Sequence, residues 1–147
     1  MKIKQEFIDT GFGFEIKLLN VPMVEIRGEW TPKINYNELA RVVLHRLSHK
    51  TSRLTGNETK FIRTYFEMTL QKFAKRFCVT HAAVIKWEQA EDSPTNMNWA
   101  TEKDIRLFIL NSLDVNPEEF ASLYTSLENV QGIRNFPMNL DAKKLRA

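Results

Sequence analysis

Few side chains in this sequence could do chemistry of their own. The 147 residues include three histidines and one cysteine. His45 and His49 stand four apart, a spacing that sets two imidazoles on one helix face and suits a zinc-type ion. No third ligand follows them nearby, so the pair reads as a solvated helix end. Neither a metal nor any other cofactor is expected. Cys78 alone excludes an internal disulfide and a cysteine-rich zinc site, and it reads as inert between two helices. Around His81 no base, nucleophile and orienting partner converge, so no enzyme is expected.

The remaining chemistry is the recognition of phosphates and bases. It concentrates in TLQKFAKRFCVTHAAVIKWE, residues 69–88. Thr69 and Thr80 can each cap a short helix. A connection of two or three residues makes such helices cross steeply, as in a helix-turn-helix. Phe73, Ala74, Val79, Val84 and Trp87 would form the inner seam. His81, Ala82, Ile85 and Lys86 would face outward, toward a major groove. Lys86 suits guanine O6 and N7 or a phosphate, and His81 a base edge. Ala82 and Ile85 suit thymine methyl groups. Beneath Thr80 the free backbone donors of the second helix would face a phosphate. Lys72, Lys75, Arg76 and Lys86 are offset within the two helices only by Glu88, expected to pair with a base of the first. Arg53, Lys60 and Arg63 would add contacts to the DNA backbone. A net charge of +3 permits this reading without arguing for it.

The rest of the chain must hold that segment. Hydrophobic residues make up 43% and charged residues 27%, as in an ordinary soluble protein. In residues 1–32 apolar side chains alternate at Phe14, Ile16 and Leu18 and again at Val24 and Ile26, with a turn expected at Asn20-Val21-Pro22. Asn35 and Glu38 begin a helix carrying Tyr36, Leu39, Ala40, Val43, Leu44 and Leu47. The polar stretch 48–53 reads as a linker. From Thr55 on, caps and spacing predict helices only, starting at Thr55 with Glu58, at Thr69, at Thr80, at about Asn98 and at Asn116-Pro117. The last two bury Ile105, Phe108, Ile109 and Leu113, then Phe120, Leu123, Tyr124 and Leu127. The expected fold is mainly α. A five-helix helix-turn-helix domain at 54–128 follows a small β-hairpin plus helix at 1–50, and 129–147 form a flexible tail. No start resembling a secretory signal and no apolar run of about 20 residues is present, so a cytoplasmic protein is expected.

The runs Thr69-Leu-Gln-Lys-Phe-Ala74 and Val79-Thr-His-Ala-Ala-Val-Ile-Lys-Trp-Glu88 resemble the lambda-repressor-like (Xre) class over 54–113. The lead-in LTGNETKFIRTYFEMTLQ is similar to antitoxins of the MqsA type, which join a toxin-binding N-terminal domain to such a reader. The resemblance implies a homodimer on a palindromic operator that represses its own operon and masks a partner toxin. Dimerisation is expected around Phe120, Leu123 and Tyr124. Three departures stand out. The paired C-x-x-C zinc ligands are missing before Cys78. The glutamine usual at the second position of the first motif helix is Leu70, with Gln71 beside it to take the phosphate contact. Cys78 stands where glycine often turns left-handed, at a strain of about 1–2 kcal/mol. The expected DNA site is therefore Arg63, Gln71, Lys72, Thr80, His81, Ala82, Ile85 and Lys86. The alternatives are a stand-alone regulator and an enzyme-inhibiting interaction protein that binds DNA secondarily.

Overall fold

Alternating apolar residues near the start of the chain build a sheet with more strands than one hairpin. In the computed structural model, which describes residues 2–129 and 138–147, β1 (Lys2–Asp9), β2 (Ile16–Ile26) and β3 (Glu29–Pro32) pair antiparallel in that order. β4 (Met138–Asp141) runs parallel to the first half of β2, with Ile16 opposite Met138 and Leu18 opposite Leu140. β1 takes one edge of β2, and β4 and β3 share the other.

The turn expected at Asn20-Val21-Pro22 is absent. β2 passes through it as one strand, and its register to β1 is the same on both sides. Asn20 sits at φ 54°, a left-handed setting that asparagine tolerates better than most residues. The effect is on the strand's faces: Ile16 and Leu18 are buried before it, Val21 and Met23 after it. The tight hairpin turn is Arg27-Gly28 instead. Both residues have positive φ, 53° and 84°, as a two-residue type I′ turn requires.

The expectation of a mainly α chain is therefore overturned. Among the described residues the protein is mixed α/β, with six helices and a four-stranded sheet. The cause is two strands outside the expected runs: β1, eight residues that pair with β2, and β4, four residues too short to show a period, which joins β2 from near the other end of the chain. Of the expected tail, 130–137 lie outside the described residues, while 138–147 are built into the sheet unit. The Ala142 amide donates to the Leu19 carbonyl at 2.8 Å, and the Asn35 amide donates to the Leu145 carbonyl at 2.7 Å.

The chain divides into two compact units, Met1–Val42 with Phe136–Ala147, and Val43–Asn135. The first is the sheet unit, with Ile16, Leu18, Val21, Met23, Leu140 and Leu145 buried. α1 (Tyr36–Ser48) starts in it and ends in the second. Asn35 caps α1 by accepting from the Glu38 amide at 3.1 Å.

The second unit holds α2 (Gly56–Tyr65), α3 (Leu70–Arg76), α4 (His81–Glu88), α5 (Trp99–Ser112) and α6 (Pro117–Ser126). Each starts where the sequence places a helix start. Thr55 and Glu58 form a complete capping box, and Thr69, Thr80, Asn98 and Asn116 each accept from a first-turn amide. Rings of Phe66, Phe73, Phe77 and Phe108 pack edge to face through the core.

The polar stretch 48–53 is not a free linker. Arg106, wholly buried on α5, donates to the carbonyls of Ser48, Lys50 and Ser52. Its partner Glu102, also wholly buried, accepts from Arg53 Nε at 2.9 Å and the Leu54 amide at 3.2 Å. Burial lowers the Arg106 pKa, and the Glu102 carboxylate opposes that shift. Among the described residues no helix is long and apolar enough to cross a membrane.

Candidate nucleic-acid interface

Residues 69–88 fold as two short helices, α3 and α4, joined by residues 77–80. Two hydrogen bonds end α3: the Cys78 amide donates to the Lys75 carbonyl at 3.3 Å, and the Val79 amide to the Ala74 carbonyl at 3.0 Å. That pairing is a Schellman stop, which needs a left-handed residue between helix and turn. Cys78 supplies it at φ 57° and is exposed. A cysteine there carries the strain expected from its side chain. Cys78→Gly should therefore raise the urea midpoint by the equivalent of about 0.5–1 kcal/mol, the relieved strain exceeding glycine's extra freedom when unfolded. A lower midpoint would contradict the strain.

α4 follows at once. Thr80 Oγ1 accepts from the Ala83 amide at 3.1 Å, leaving the amides of His81 and Ala82 at the open end of the helix. Val84 and Trp87 are buried, along with Phe73 and Ala74 of α3. His81, Ala82 and Lys86 are exposed on the other side. Ile85 is half-buried and lines a shallow depression with Lys60, Leu70 and Gln89, so its contact with a base methyl would be partial. Gln71 and Lys72 are exposed on the first turn of α3, and the Lys72 amide donates to Thr69 Oγ1 at 3.1 Å.

Arg63 does not join them. Its guanidinium grips the Glu88 carboxylate with two bonds, Nε to Oε2 at 2.7 Å and Nη2 to Oε1 at 2.9 Å. A third bond goes to the Met68 carbonyl at 2.9 Å. Arg63 thus fastens α4 to α2, and Glu88 pairs with α2 where a base of α3 was expected. Arg53 is likewise engaged, with Glu102, the Met97 carbonyl and the face of Trp99. Arg76 lies over the rings of Phe77 and Phe108. Arg76 is nonetheless exposed and also pairs with Asp104 at 3.4 Å, while the exposed lysines of α2, α3 and α4 are Lys60, Lys72, Lys75 and Lys86. The sequence marks these residues as basic, but only the folded unit separates paired arginines from exposed lysines.

The expected dimer residues also separate. Leu123 is buried with Leu110 and Leu127 in its own unit, and Phe120 packs against that cluster. Tyr124 stays 49% exposed, with Lys103 over its ring.

The helical unit also brings a third group to the His45–His49 pair that the sequence marked. His45 Nε2 and His49 Nε2 both approach Glu119 Oε1, at 2.5 Å and 3.2 Å. The hydrogen bond from His45, more than any other effect, holds the Glu119 carboxyl below the usual carboxylate range. Glu119 comes from α6, and no local signal links it to the histidines.

Compared with known proteins, the chain matches no family model, no curated protein and no solved structure.

Proposed function

We propose that this chain is a sequence-specific DNA-binding repressor that reads the major groove with α4. One observation carries the reading: two capped helices joined by four residues, with His81, Ala82 and Lys86 exposed on the second and lysines around it. Lys86 takes a guanine or a phosphate, and His81 a base edge. Lys72 and Gln71, with the open amides of α4, take the backbone. No enzyme activity is part of the reading. It places the protein in the cytoplasm and makes it a homodimer on a palindromic operator.

Resemblance to the MqsA-type antitoxins extends the proposal to the antitoxin of a toxin–antitoxin pair. A specific feature favours a protein partner for the other unit: its sheet leaves Ile3, Ile8, Ile26 and Trp30 exposed. That feature also serves the alternative of an interaction protein with secondary DNA binding.

The test is fluorescence anisotropy on DNA from upstream of the protein's own gene, at several salt concentrations. Affinity should fall steeply as salt rises. His81→Ala and Lys86→Ala should each weaken specific binding by about 1–3 kcal/mol, while binding to unrelated DNA changes less. Wild-type affinity in the double variant would remove α4 from the interface.

A further inference from the structure

We propose that His45, His49 and Glu119 form a binding site for a divalent transition-metal ion of the zinc type. His45 lies near the end of α1 and His49 directly after it, one turn on, while Glu119 lies on the first turn of α6. One nitrogen from each imidazole and one oxygen of the carboxylate all fall within 4.8 Å of one another.

Zinc binds imidazole nitrogen at about 2.0–2.1 Å and carboxylate oxygen at about 2.0–2.2 Å, so tetrahedral ligand atoms sit roughly 3.3 Å apart. The separations from Glu119 Oε1, 2.5 Å and 3.2 Å, are both shorter than that distance, and all three ligand atoms lie within 4.8 Å of one another. Small side-chain rotations would therefore complete the site without moving the helices. Glu119 is well placed for this, because its own amide donates to Asn116 Oδ1 at 2.8 Å and fixes the start of α6.

Two imidazoles with a single carboxylate select a zinc-type ion over calcium or magnesium, which require mostly oxygen ligands. About a third of each side chain is exposed, 36%, 34% and 32%, so an ion can enter and water can fill the fourth position. The simpler alternative is a hydrogen-bonded cluster with a proton on each Nε2. Metal binding would displace those protons to the buffer.

The experiment uses untagged full-length protein stripped with a chelator. Zinc chloride is added in a calorimeter, and cobalt(II) in a spectrophotometer. One zinc should bind per chain, cobalt should give a visible ligand-field absorption, and zinc should raise the melting temperature. His49→Gln and Glu119→Gln should lose all three responses while keeping the metal-free circular dichroism of wild type. Cys78→Ser and His81→Ala should retain them. Failure of wild type to bind, or binding that survives in either His49→Gln or Glu119→Gln, would overturn the site.

Discussion

Replacing Glu102 by alanine is expected to destabilise the protein by about 3–5 kcal/mol, the usual loss when one partner of a buried ion pair is removed. Both side chains of the pair are fully buried. Arg106 gives Glu102 Oε2 two hydrogen bonds, at 3.1 Å and 2.8 Å. Without the carboxylate, a guanidinium that cannot readily lose its proton stays in the core uncompensated. The amide of Leu54 and the Nε of Arg53 lose their acceptor as well. Exchanging a buried pair for two apolar residues is often neutral. Here it should not be. Glu102→Leu with Arg106→Met would strand the carbonyls of Lys50 and Ser52, at about 1–3 kcal/mol for each buried group left unpaired. Urea unfolding followed by tryptophan fluorescence measures both variants. A loss below about 1 kcal/mol for Glu102→Ala would show that water already reaches the pair.

Gly56→Ala is the second large effect, and its sign is informative. An alanine in the first turn of α2 would ordinarily stabilise by about 0.5–1 kcal/mol. At this position a Cβ would lie 2.4 Å from the Trp87 carbonyl oxygen and 2.7 Å from the Glu91 nitrogen. Both are backbone atoms at the end of α4, so neither can swing aside. The same approach lets the Gly56 amide donate to Ser93 at 3.2 Å and the Asn57 amide to Glu91 at 2.9 Å. Relief of the clash must displace the C-terminal end of α4. The substitution should destabilise by about 3 kcal/mol or more. If the proposed function holds, it should also weaken DNA binding at temperatures where the variant remains folded. A higher melting temperature than wild type would refute the close approach.

Which parts of this fold were legible depends on how far each signal reaches. Caps act over three residues, and Thr55, Thr69, Thr80, Asn98 and Asn116 all start helices where the sequence placed them. Cys78 was legible too, because a left-handed stop is a local need. The sheet was not. Asn20-Val21-Pro22 has turn chemistry, yet β1 pairs with β2 in one register before and after it, and the strand runs through the left-handed Asn20. Arg106 and Glu102 occupy spacings that suit a solvated helix pair, and only the carbonyls of 48–53 make their burial tolerable. For the candidate interface, the exposed face of α4 was readable from helical period. The diversion of Arg63 to Glu88 depends on a contact between helices 25 positions apart.

The parallel pairing of β4 with β2 bears on how the protein is made. A ribosome delivers Ile16–Leu19 long before Met138–Asp141, so this part of β2 waits with β1 on one edge and the other edge unfilled. The unit Val43–Asn135 emerges in the interval. The helices of that unit can thus fold on a nascent chain whose sheet is still open, and a chain cut short before residue 138 would expose the unpaired edge of β2.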